Sequence, residues 1–182
     1  MNAATDELGG ESTIMSATPS ITTGSPGMIT WLPAKYESDF LATCYVVSQE
    51  TGFTSTPLIG PVNGLPANKT YHQGFINDVR LQGSGIALDG TTIHYDGHGT
   101  YSLQSCPLTA TGTCAVGGTT VAVDRTVIPL QSTISIATVG PRVAQDSGGA
   151  ITGYHIDEYY GVRRAACISA GRLTLSVTFT SY

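Results

Sequence analysis

Near its end the chain reads Arg172-Leu173-Thr174-Leu175-Ser176-Val177-Thr178-Phe179, apolar and polar residues alternating throughout. A period of two puts every apolar side chain on one face of an extended segment, which the 3.6-residue period of a helix cannot do. Similar alternation and short β-branched runs recur along the chain, while few segments place apolar residues at i, i+3, i+4 and i+7. Glycine, threonine and serine abound, and only 12% of residues are charged. The chain is therefore read as mostly β. Its 182 residues allow one domain with a real core.

Residues 1–27 are rich in Ser, Thr, Gly and Pro without a single basic residue, and read as a flexible leader or linker. From Met28 the pattern turns globular. Strands are expected at Met28–Leu32 and Phe40–Val47, an extended loop over 52–70, and a short helix or turn over His72–Arg80. A hairpin over 86–95 should turn at Asp89-Gly90. From Thr119 the strands crowd together, with a short helix expected over Val162–Ser169. The expected organisation is an N-terminal extension or small, groove-forming β subdomain over 28–104 and a core over 105–182, packed as one unit.

A net charge of −5 argues against nucleic acid, which needs a basic patch; Arg163-Arg164 is the only basic pair. No stretch has the apolar length of a membrane span, so an integral membrane protein is not expected. No charged and apolar leader of the secretory type is present. The four cysteines (44, 106, 114, 167) lack the close C-x-x-C pairs a zinc site prefers. They read as two disulfides in an exported protein whose signal peptide has been removed, the alternative being buried thiols in a reducing compartment. Cys106 and Cys114 flank a short loop and can pair locally, leaving Cys44 with Cys167.

Three aspartates, Asp124, Asp146 and Asp157, are spaced by 22 and then 11 residues. Each follows a short apolar or β-branched run, so each should sit at or near the end of a buried strand, where distant acids can gather at the rim of one barrel. Around them stand VAVDRTVIPL and VAQDSGGAITGYHIDEYYG. In these motifs the chain resembles the three-aspartate domain of bacterial cell-wall enzymes and, in its second half, the membrane-bound lytic transglycosylase A type. Thr109–Thr113 (TATGT) and the QGSG of residues 82–85 are similar to further segments of that family. Arg125, Thr152 and Ala170 stand where the family often has proline, lysine and tryptophan.

The resemblance implies a six-stranded double-psi β-barrel. It also implies cleavage of MurNAc-β-1,4-GlcNAc bonds in peptidoglycan to 1,6-anhydro products, with the aspartate of His155-Ile156-Asp157 as the acid. One carboxyl suffices because the C6 hydroxyl of the sugar is a tethered nucleophile, an advantage of about 7–11 kcal/mol. That acid must begin protonated; Ile156, Tyr159 and Tyr160 can desolvate it, and Asp146 can repel its charge. The implied site comprises the catalytic Asp157, Asp146 and Asp124, with Gln82, Gly83, Ser84, Gly85, Thr111, Gly148, Gly149, Ala150 and Tyr159 along the substrate groove. No cofactor and no metal are expected, and the protein should act as a monomer on glycan strands in the periplasm, cell envelope or extracellular space.

Other readings attach to the same residues. Asp146 and Asp124 can instead cap turns, and Asp146 with Asp157 can serve a two-carboxylate hydrolase. A non-catalytic wall-binding module of the expansin kind is the third possibility. Asp146-Ser147-Gly148-Gly149 is similar to the nucleophile turn of trypsin-like proteases, but no TAAHC-like histidine segment accompanies it. His94, Asp96 and His98 share a strand face only if Asp96-Gly97 does not turn.

Overall fold

The computed structural model describes residues 35–180; the leader over 1–27 and the strand expected at Met28–Leu32 lie outside the described residues. In chain order come β1 (Lys35–Tyr45), β2 (Ser48–Gln49), a 3-10 turn (Glu50–Phe53), β3 (Leu58–Ile59), β4 (Tyr71–His72) and α1 (Gln73–Gln82). Next are β5 (Ser84–Ile86), β6 (Thr92–Gly97), β7 (Thr100–Gln104), β8 (Thr120–Val123) and β9 (Thr133–Ile136). The chain finishes with β10 (Gly140–Asp146), β11 (His155–Tyr159), α2 (Arg164–Ala170) and β12 (Leu173–Thr180).

Six strands close into a barrel in the cyclic order β1-β11-β8-β10-β9-β12. β1 runs parallel to β11 and β8 parallel to β10, while all other barrel neighbours are antiparallel. Exchanging β1 with β10, β8 with β11 and β9 with β12 reproduces both the order and the sense of every pairing. The barrel is therefore two interleaved halves related by a pseudo-twofold, the double-psi arrangement. It is not confined to residues 105–182, because β1 supplies a sixth strand from far upstream. Closure leaves no unpaired strand edge within the barrel.

The alternation of β12 explains its place: Val177 and Phe179 are buried with Phe40, Ala42, Val121, Val123, Ile134, Ile136, Ala144 and Ile156 in one apolar core. Leu173 continues the pattern but is exposed, since the strand outruns that core. Register places Glu158 opposite Val121, and Arg142 two residues from Ala144, on the core-facing side of the sheet. There Arg142 Nε donates to Glu158 Oε2 at 3.0 Å, an ion pair largely hidden from water.

Residues 46–104 build a second body around α1 and the sheet β2-β5-β6-β7. α1 buries Phe75, Ile76 and Val79, spaced to share one side of the helix, against Tyr71, Ile93 and Tyr101. Just ahead of the segment read as loop, Glu50 is buried at the 3-10 turn. Its two oxygens accept the amides of His72 (2.7 Å) and Leu88 (2.9 Å), fastening three parts of this body together. The hairpin turns at Asp89-Gly90 as expected, the Gly90 amide bonding to the Ala87 carbonyl. After β6 the chain turns at Gly97, His98 and Gly99, all with positive φ, so His98 does not continue the strand face of His94. Cys44–Cys167 ties β1 to α2, and Cys106–Cys114 closes the loop ahead of β8, the pairing expected from the sequence.

Candidate active site

Neighbouring residues in a sheet point to the same side. Thr43 of β1 pairs with Asp157 of β11, Asp157 with Ala122 of β8, and Ala122 with Asp146 of β10. The row crosses four strands on the face turned away from the barrel core, with only the Ala122 methyl between the two acids. Two strand spacings put their backbones about 10 Å apart. Asp146 reaches this face through a register shift: Ala144 pairs with Val121, but Asp146 pairs with Ala122. Without that bulge Asp146 would lie on the same side as Ala144, inside the barrel. The Gln145 side chain is held by Thr120, whose hydroxyl donates to Gln145 Oε1 at 2.6 Å.

Asp157 sits mid-strand rather than at a strand end. Its Oδ1 accepts the Thr43 hydroxyl at 2.5 Å, and His155 Nε2 lies 2.9 Å from the same hydroxyl. Because the hydroxyl donates to Asp157, its oxygen is free to accept a hydrogen bond from the imidazole N–H. Burial pushes the Asp157 carboxyl above its ordinary value, and Asp146 adds to that; Thr43 and His155 oppose it. The balance lets the acid keep its proton to higher pH than its ordinary value would, the direction sequence reasoning required. The Thr43 contribution can be isolated. In Thr43→Val the carboxylate loses its hydrogen bond, so the titration midpoint of Asp157, followed by the 13C shift of its carboxyl, should move to higher pH. A midpoint that stays or falls would show that the hydroxyl does not stabilise the ionised form.

Asp146 is arranged differently. Oδ1 accepts the amides of Ala110 and Ser147, both at 2.9 Å, and Oδ2 accepts the Tyr45 hydroxyl at 2.7 Å. Three donors converging on two oxygens suit an acceptor-only carboxylate. Burial, and then Asp146 itself, push the Tyr45 phenol far above its ordinary range, so it stays a donor. Asp124 does not join them. It accepts Thr126 by amide (2.9 Å) and hydroxyl (2.6 Å) and the Gly153 amide at 2.7 Å. Those bonds hold its carboxyl below the ordinary value, which fits a turn clamp joining the end of β8 to the strand-entry loop of β11.

An open groove of about 730 Å³ runs along this face. Asp146, Asp157, Gly148, Gly149 and Ala150 line one side, and Arg80, Leu81, Gln82, Gly83 and His94 of the second body also line it. Gly83 takes a positive φ of 85° to end α1 there. The other residues named from sequence do not line this groove itself, although Ser84 and Tyr159 border a small space beside it. Ser84 is buried and hydrogen bonds to His94 Nδ1 at 2.9 Å. Gly85 faces α1: a Cβ would come within 2.6 Å of both Val79 and Phe75, so its lack of a side chain serves packing. Thr111 belongs to a cluster of hydroxyls with Thr109 and Thr113, and it is the Ala110 amide that reaches Asp146. Tyr159 is buried against Tyr45, ring centroids 5.1 Å apart.

Sequence reasoning did not single out Thr43, Tyr45 or Arg80, and weighed His94 only as a metal ligand. Thr43 and Tyr45 fall within the strand read at Phe40–Val47, and their spacing by two places both on one face. Nothing local says that this face meets acids more than 100 residues away. The arrangement offers one acid whose burial raises its proton affinity, a second carboxylate on the same side whose two oxygens both accept hydrogen bonds, and a cleft open to an elongated ligand.

Residues 119–181 match the 3D domain family. No curated protein matches the chain by sequence. In three dimensions it is similar to E. coli MltA with bound chitohexaose, over 82% of this chain and 76% of that one, at 17% identity and a TM-score of 0.58. A membrane-bound lytic murein transglycosylase from Agrobacterium tumefaciens is similar at 13% identity and a TM-score of 0.57, over 81% of this chain and 75% of that one. MltA from Neisseria gonorrhoeae matches over the same shares, at 11% identity and a TM-score of 0.55. The C-terminal part of the barrel is thus a three-aspartate domain, carried in a chain that has the fold of MltA.

Proposed function

We propose that the chain is a lytic transglycosylase that cleaves MurNAc-β-1,4-GlcNAc bonds of peptidoglycan without water. The observation that carries this reading is the contrast between the two acids of the groove. Burial raises the Asp157 carboxyl above its ordinary value, so it holds its proton to higher pH, whereas both oxygens of Asp146 already accept hydrogen bonds, from Tyr45, Ala110 and Ser147. A hydrolase of the inverting kind needs its second carboxylate free to deprotonate water. A transglycosylase needs one acid only.

In the reaction Asp157 gives its proton to the glycosidic oxygen, and the bond from that oxygen to C1 of the muramic residue breaks. Positive charge grows at C1, and the fixed negative charge of Asp146 favours it. The C6 hydroxyl attacks C1, and the Asp157 carboxylate takes the hydroxyl proton, which restores the acid. Bond closure within one sugar replaces attack by water, so mass is conserved between strand and products. The groove is open, as a polymer entering mid-chain requires, and the E. coli MltA structure of the same fold holds chitohexaose. Two disulfides fit an oxidising compartment, where the cell wall lies. No helix among the described residues is long and apolar enough to cross a membrane.

Purified protein incubated with intact sacculi should release muropeptides one water lighter than their reducing-end counterparts. Mass spectrometry of the soluble products decides: reducing ends in place of anhydro ends make it a hydrolase, and no release at all makes it a binding module.

A further inference from the structure

A second cavity, about 820 Å³, opens between α2 and the segment from β1 through the 3-10 turn. It shares Tyr45 and Gln82 with the groove of the two acids, and a small space lined by both residues together with Asp146 lies between them. The two are arms of one depression meeting at Tyr45. The reaction proposed above makes no use of this arm.

Its lining is chemically specific. Arg164 on α2 and Asp78 on α1 bring opposite charges to the cavity, and among the described residues neither forms an ion pair. The neighbouring Arg163 is engaged elsewhere, with Nε 3.4 Å from the Tyr160 carbonyl and its guanidinium over the Tyr160 ring. Ser48 also lines the arm; it is only 5% exposed, and its hydroxyl has no hydrogen-bond partner. A buried hydroxyl left in that state is unfavourable, and a ligand group filling the arm would satisfy it. Ile168, 69% exposed, and Phe53 add apolar surface.

A glycan stripped of its peptides is charged only at the lactyl carboxylate beside each muramic ring and offers Asp78 no cationic partner. A strand of peptidoglycan differs from bare glycan in the short peptide on its lactyl ether, which carries carboxylates, amides, small methyl side chains and, in many forms, a primary amine. We propose that this arm binds the peptide stem, with Arg164 engaging a stem carboxylate and Ser48 one of its polar groups, so that the protein acts on peptide-bearing rather than stripped strands. The inference rests on the peptidoglycan reading of the acid groove but is decided separately from it.

Binding of GlcNAc-MurNAc-tripeptide and of GlcNAc-MurNAc to the Asp157→Asn protein, measured by calorimetry, tests it without turnover. The peptide-bearing probe should bind roughly tenfold more tightly, the scale of one well-placed charge pair. Adding Arg164→Ala should bring the two affinities together by loss on the peptide side, and Arg164→Lys should recover part of the difference. Arg80→Ala, in the acid groove, should keep the ratio. Equal affinities in the parent protein overturn the proposal, as does an equal loss for both probes in Arg164→Ala, which would assign the arm to the glycan. So does a ratio erased by Arg80→Ala alone, which would place the stem beside the acids. Peptide preference without anhydro products would leave the arm assigned and remove the reaction; anhydro products without preference would do the reverse.

Discussion

Asp157→Asn should reduce glycan cleavage by roughly 10²–10⁴-fold, the usual contribution of a positioned acid–base group, while making the folded protein more stable at neutral pH. Both effects have one origin. In the native chain burial holds the Asp157 carboxyl above its ordinary value. A carboxyl that binds its proton more tightly when folded favours the fold only while it stays protonated. Its contribution is fully present below the unfolded value near 4 and is lost as pH rises through the raised native one. Above that window the native state keeps a poorly solvated charge, which asparagine removes. Denaturant titrations at neutral pH should therefore give a higher midpoint for the variant, the two proteins converging below about pH 4. Cleavage by the native protein should fall along the same rise in pH, as the acid deprotonates. Near-native turnover in the variant would rule out Asp157 as the acid. Lost turnover with lowered stability at neutral pH would instead point to a structural role.

Glu158→Ala should destabilise the protein by about 3–5 kcal/mol, the cost of leaving one partner of a buried ion pair behind. Glu158 and Asp157 are chain neighbours, yet register sends them to opposite faces, one to the groove and the other to Arg142 on the core side. Removing Glu158 strands the Arg142 guanidinium in a closed barrel with no edge to open. The double variant Glu158→Leu/Arg142→Met should recover much of the loss, because matched apolar groups can replace such a pair. Urea unfolding of the single and double variants measures this directly. A single-variant loss below about 1 kcal/mol, the scale of an exposed pair, would show that water reaches Arg142 in the native state.

Local pattern carried much of the fold. The alternation in 172–179 gave the last barrel strand, the Asp89-Gly90 turn was readable from its chemistry, and the short helix before the last strand followed from its place. Glu50 shows where local reading stops. A glutamate at the edge of a Gly- and Pro-rich segment carries no local sign of burial, yet it accepts the amides of His72 in β4 and Leu88 in the β5–β6 turn and is buried for that reason. QGSG divides in the same way. Its glycines were read as room for a sugar, but only Gln82 and Gly83 line the groove, while Gly85 makes room for Phe75 and Val79. A glycine marks a close approach without naming what approaches.

The sequence by itself determined the strand content, and its motifs pointed to two acids that face one groove, because residue type, period and motif spacing are local properties. Tertiary structure alone decided that Thr43 and Tyr45 hold those acids, that a bulge at Gln145 turns Asp146 out of the barrel, and that Asp124 is left to clamp a turn. Each of these depends on register between strands far apart in the chain, above all the parallel pairing of β1 with β11. A shift of one residue there would move Thr43 to the opposite face from Asp157. Register is set by closing the whole barrel around its shared core, and no single strand contains that information.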